Sequence, residues 1–105
     1  MKRWKRFLLL GLVFVLLTGC TANHSESYRR ALDIFASGEY EEAAQAFEKL
    51  GDYQQSAQYA AYSRGLVLWE QGDYLNAEPY FEQCQTLLMG GQRYAYCHAC
   101  ALEAA

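Results

Sequence analysis

Gly38-Glu39-Tyr40-Glu41-Glu42-Ala43-Ala44-Gln45-Ala46-Phe47 returns further along the chain as Gly72-Asp73-Tyr74-Leu75-Asn76-Ala77-Glu78-Pro79-Tyr80-Phe81, with Gly, Tyr, Ala and Phe at the same places. The same shift sets Tyr28 on Tyr62, Arg30 on Arg64, Leu32 on Leu66 and Glu48 on Glu82, giving eight identities in 23 positions. That is well beyond chance. A second shift carries Tyr62 onto Tyr96 and Gly65 onto Ala99, so a third unit starts before the sequence ends. Helix-turn-helix solenoids repeat about every 34 residues, and the step from Gly38 to Gly72 is that period.

Within each unit the apolar spacing is helical. Tyr28, Ala31, Leu32 and Phe35 follow i, i+3, i+4, i+7, as do Tyr62, Gly65, Leu66 and Trp69, and these are the first (A) helices. Gly38 and Gly72 stop them, since a left-handed residue at a helix end costs glycine least. Tyr40, Ala43, Phe47, Leu50 and Tyr74, Ala77, Phe81, Cys84 form the buried stripes of two B helices. Gly51 ends the first, and Asp52 with Gln55 three residues on resembles a capping box. That pattern predicts a long helix from Tyr53 to roughly Glu70 that contains the second A helix. Pro79 removes a backbone donor inside the second B helix and is expected to bend it or delay its start towards Asn76. The expected fold is all-α, about two and a half repeats over residues 28–105.

These residues look like a tetratricopeptide repeat (TPR). The Gly38-x-Tyr40-x-x-Ala43-x-x-x-Phe47 and Gly72-x-Tyr74-x-x-Ala77-x-x-x-Phe81 cores match that family's most regular stretch, and a small residue, Ala31 or Gly65, stands twelve positions before each core Ala. Small residues facing each other let the two helix axes approach. Gly51 to Tyr59 further resembles the linker between divergent units of this family in bacterial surface lipoproteins. Ser27 and Ala61 stand where the family usually has Trp, and its terminal Pro is absent. The resemblance implies a non-enzymatic scaffold for a protein or peptide partner. Helical repeats present their A helices along a groove, and aromatic side chains make effective anchors. Tyr28, Phe35, Tyr62 and Trp69 are the partner-binding candidates, with Tyr96 continuing the row; the competing reading is that most of these rings fill the core.

The first nineteen residues read as a signal peptide. A basic start (Lys2, Arg3, Lys5, Arg6) precedes an apolar run, Phe7 to Leu17, too short to span ~30 Å of hydrocarbon. Leu17-Thr18-Gly19-Cys20 then resembles the bacterial lipobox, which implies cleavage before Cys20 and acylation of its thiol. Several acyl chains anchor stably where one does not. Residues 20–27 are expected to be the lipidated Cys and a polar tether, with the domain on the extracytoplasmic face of a membrane. A secretory peptide or an uncleaved anchor with an incidental Cys is the alternative.

Beyond residue 20 five basic residues face twelve acidic ones, a balance of −7 with no basic stripe, which argues against nucleic acid as a partner. No Ser/His/Asp set or phosphate loop appears, so neither enzymatic activity nor a cofactor is expected. The acidic run Glu39-Glu41-Glu42 reads as helix caps and solvated surface. Cys84, Cys97, His98 and Cys100 support a rival, a small thiol- or metal-binding protein. A zinc site wants four converging ligands. The repeat instead places Cys84 and Cys100 on the core positions of Leu50 and Leu66, and Cys97 on Ser63, expected to be exposed. Buried thiols, a disulfide from Cys84 to Cys97 or Cys100, and a metal or redox site all remain open at this level, as does a spacer role within a longer lipoprotein.

Overall fold

The structure is a computed structural model that describes residues 24–104. The expected signal segment 1–19 and Cys20 lie outside the described residues. Among the described residues five helices follow one another: α1 His24–Ala36, α2 Tyr40–Leu50, α3 Ser56–Glu70, α4 Tyr74–Glu82 and α5 Gly90–Ala104. Each packs chiefly on its neighbours in sequence. Two hairpins, α1–α2 and α3–α4, are therefore followed by the first helix of a third unit. The all-α helical repeat fold stands. No described helix is long and apolar enough to cross a membrane.

The turns inside the hairpins are set by glycine. Gly38 and Gly72 have φ of 89° and 76°. After α3, Gly72 N–H donates to the Trp69 carbonyl at 3.0 Å and Asp73 N–H to that of Leu68 at 2.9 Å, which satisfies two carbonyls that the helix end would otherwise orphan. The turns between hairpins repeat as well. Gln54 and Leu88, one period apart, are the described non-glycine residues with positive φ, 50° and 49°. In the first turn Tyr53 N–H donates to Leu50 (3.2 Å) and Ser56 N–H to Tyr53 (3.0 Å); in the second, Leu87 donates to Cys84 (3.0 Å) and Gly90 to Leu87 (2.8 Å). One backbone shape thus recurs where the side chains have diverged.

Phe47 and Phe81 are fully buried at equivalent places. Phe47 sits among Ala31, Ala43 and Ala60, with Tyr59 of α3 stacked on it at 5.0 Å. Phe81 rests on Gly65 so closely that a Cβ there would stand 2.7 Å from its ring. That contact explains the small residue on the A helix. Each ring contributes on the order of 1.5–3 kcal/mol by leaving water.

Three expectations are corrected. The first helix begins at His24, so the last four residues of the expected 20–27 tether are helical. The Asp52/Gln55 capping box does not form: α3 starts at Ser56, and Gln55 at its N-cap makes no side-chain bond, because left-handed Gln54 turns the chain just before it. Pro79 does not delay α4, which starts at Tyr74, in register with Tyr40. Asp73 fixes that start by accepting from Asn76 N at 3.4 Å and Nδ2 at 2.8 Å.

Candidate functional site

The A helices α1, α3 and α5 place one aromatic cluster twice. Phe35 lies 5.4 Å from Tyr40, 5.4 Å from Tyr59 and 5.8 Å from Tyr62. One period on, Trp69 lies 4.9 Å from Tyr74 and 5.2 Å from Tyr96, and Arg93, in the place of Tyr59, holds its guanidinium 4.8 Å over the Trp69 ring. Tyr28 begins the row, edge-on to Phe47 at 5.8 Å and to Tyr59 at 6.4 Å. The structure therefore strings the candidate rings along successive helices. Tyr59 and Arg93 were not among the candidates; the period pairs them, but their side chains differ and only the shared partner ring reveals the match.

The four candidates are not equally available. Tyr28, Phe35 and Trp69 are half-buried, whereas Tyr62 is only 4% exposed. Its ring packs on Phe81 at 5.7 Å and its hydroxyl accepts from Arg93 Nε at 3.2 Å. Tyr62 is thus a core residue, a correction to its place among the anchors. Tyr96, one period later, is 51% exposed. Burial raises the Tyr28 phenol above its ordinary value, and the neighbouring Cys100 raises that of Tyr96, so both ends of the row are neutral at physiological pH. A neutral row binds through apolar contact and hydroxyl hydrogen bonds.

All three described thiols are free. Cys84 and Cys97 are buried and Cys100 is half-buried, so Cys97 is not exposed as its pairing with Ser63 suggested. Ser63 is itself buried, its hydroxyl donating to the Tyr59 carbonyl at 2.7 Å. Gly90 packs on the Cys84 carbonyl, and α5 then runs back along α4 until His98 Nδ1 lies 2.7 Å from Glu78 Oε1. Cys84 and Cys97 both belong to the buried cluster around Phe81. Burial pushes the Cys84 thiol up to about 11 and also raises that of Cys97. No described group of three or more His, Cys, Asp and Glu is placed to hold a metal.

The acidic run lines an open depression of about 640 Å³ between the start of α2 and the end of α3, with Glu39, Glu42, Val67 and Glu70 on its walls. Glu39 makes no capping bond. Hydrogen bonding with Glu39, and repulsion from it, hold the Glu42 carboxyl above its usual value. Nearby, Arg64 grips Glu48 with two bonds of 2.7 and 3.2 Å, tying α3 to α2. That ion pair fastens the second hairpin to the first.

Residues 58–87, which take in most of α3, all of α4 and most of the turn behind it, match the family model of a tetratricopeptide repeat. No curated protein and no solved structure matches the chain.

Proposed function

We propose that this chain is a lipoprotein held by acyl chains on Cys20 at the extracytoplasmic face of a membrane, and that its TPR-like repeats are a scaffold for a protein or peptide partner. The observation that carries the binding part is the aromatic cluster built twice, at Phe35 and at Trp69, along helices of a repeat type used for protein interaction. Rigid rings with an Arg over one of them are the side chains that dominate binding energy at protein interfaces. Tyr28, Phe35, Trp69 and Tyr96 are the contact residues, with Tyr62 supporting them from the core. No enzymatic step enters this reading, and the acidic body disfavours nucleic acid. The anchoring part is supported by the basic start, the apolar run and Leu17-Thr18-Gly19-Cys20.

Each part has its own test. Cys20→Ser should leave unprocessed precursor or release the protein from the membrane fraction; unchanged processing and fractionation would remove the lipoprotein reading. A photo-crosslinking phenylalanine analogue at Tyr28 should yield a discrete adduct in intact cells that the same group at Gln45, exposed on α2, does not. Identical adduct patterns from both positions would contradict the scaffold.

A further inference from the structure

The start of α1 and both turns between hairpins meet at one end of the helix array. The His24 ring lies 5.6 Å from that of Tyr53 in the first turn, and Gly51, Asp52 and Gln83 line a shared cleft of about 370 Å³ that joins the first turn to the second. Cys20 precedes His24 by four residues, a reach of at most about 14 Å. The two turns differ in chemistry. Where the first has Gln54-Gln55, the second has Leu88-Met89, which are 60% and 51% exposed. Leu88 holds a φ of 49°, a conformation that strains leucine and not glycine. Gln54 and Gln55 stay exposed with the whole second hairpin packed behind them, so these turn positions point outward whether or not another unit follows. The acidic run lies at the opposite end, where Glu39, Glu41, Glu42 and Glu70 line the depression between the start of α2 and the end of α3.

We propose that this end of the array rests on the membrane, with Leu88 and Met89 entering the boundary between lipid headgroups and acyl chains. The proposal rests on the reading that Cys20 is acylated, and it gives the lipoprotein an orientation. A four-residue link keeps the His24 end close to the bilayer, and the apolar tip of the second turn then has hydrocarbon in which to bury its side chains. Charge favours the same orientation. The fifteen residues of α3 span about 22 Å, more than twice the ~8 Å over which salt screens charge, so the carboxylates at the far end are not repelled by anionic headgroups. Phe35 and Trp69, in the last turns of α1 and α3, are held at the end away from the lipid, where a partner reaches them.

The full chain, purified from membranes and reconstituted in phosphatidylcholine vesicles, tests this with a photo-crosslinking phenylalanine analogue at Met89. The control position is Leu75, as exposed as Met89 but in the first turn of α4, at the opposite end. Mass spectrometry should find phospholipid adducts at Met89 in at least about fivefold the yield at Leu75. Leu88→Gly keeps the turn and removes the side chain, so it should cut the Met89 yield at least about threefold while the circular dichroism melt is no lower than the parent's. Equal yields at the two positions, or a Met89 yield that Leu88→Gly leaves unchanged, overturns the orientation. Flotation separates this failure from that of the anchor. A chain that floats with the vesicles but gives no lipid adduct at Met89 keeps the anchor and loses the orientation; a parent chain that does not float loses both.

Discussion

Gly65 shows how one missing atom sets the spacing of two helices. Replacing it with alanine adds a Cβ 2.7 Å from the Phe81 ring, so ring or helix must move. The added helix propensity is worth about 1 kcal/mol, but overpacking costs about 1–3 kcal/mol, and the second effect wins. Gly65→Ala should lower the midpoint of a circular dichroism melt; an unchanged or higher midpoint would show that α3 and α4 are not in contact there. The thiols follow the same logic of burial. With Cys84 raised to about 11 and Cys97 raised as well, half-buried Cys100 should react first with a maleimide at pH 8 in the folded domain, and mass spectrometry of the digest would read the order. Rapid labelling of Cys84 would contradict its place beneath Gly90. The fate of Cys97 was not legible beforehand because Ser63 looks like a surface residue. A serine that gives its hydroxyl to the carbonyl four residues back can be buried, and the identity of the side chain does not disclose that bond.

Helices were easier to read than their junctions. The apolar spacing and the glycines at 38 and 72 place the ends of α1 and α3, because glycine alone reaches positive φ without a steric penalty. The turns at Gln54 and Leu88 carry no such mark: the same left-handed residue is a Gln in one and a Leu in the other, each strained by roughly 1–2 kcal/mol. Hence Asp52 and Gln55 suggested a cap that the backbone does not make. Pro79 misled in the opposite direction, since the Asp73 side chain decides where α4 starts. At the start of α2, Glu42 lies in the first turn, where the dipole favours its charge, yet its carboxyl is raised by Glu39. The hydrogen bond with Glu39, together with repulsion from it, therefore outweighs the dipole. A carboxyl raised on folding stabilises below its unfolded value and loses that contribution as pH rises through the folded value. Glu42→Gln should accordingly melt higher than the parent at neutral pH and level with it in acid below the carboxylate range, the difference shrinking with added salt. A lower midpoint at neutral pH would reverse the order of the two effects.

For the whole molecule, stability in a repeat array is close to a sum over units and their nearest-neighbour contacts. Here that sum runs through two phenylalanines, one per hairpin, each linked to the next unit by a ring of α3 or α5: Tyr59 on Phe47, and Tyr96 through Trp69, which lies 6.0 Å from Phe81. The same design that buries Tyr62 leaves Tyr96 open, so one period writes both the core and the candidate surface. Sequence alone could find the row but not rank its members, because the rank depends on which helix covers each ring. The most direct test of whether positions one period apart do the same work is to compare thermal melts of Phe47→Ala, Phe81→Ala and a variant with Cys84, Cys97 and Cys100 all changed to Ala. Both phenylalanine variants should lose about 3–5 kcal/mol, enough to unfold a domain of this size, while the triple cysteine variant keeps its fold. A triple variant that unfolds while Phe47→Ala melts like the parent would contradict the repeat as the organising element.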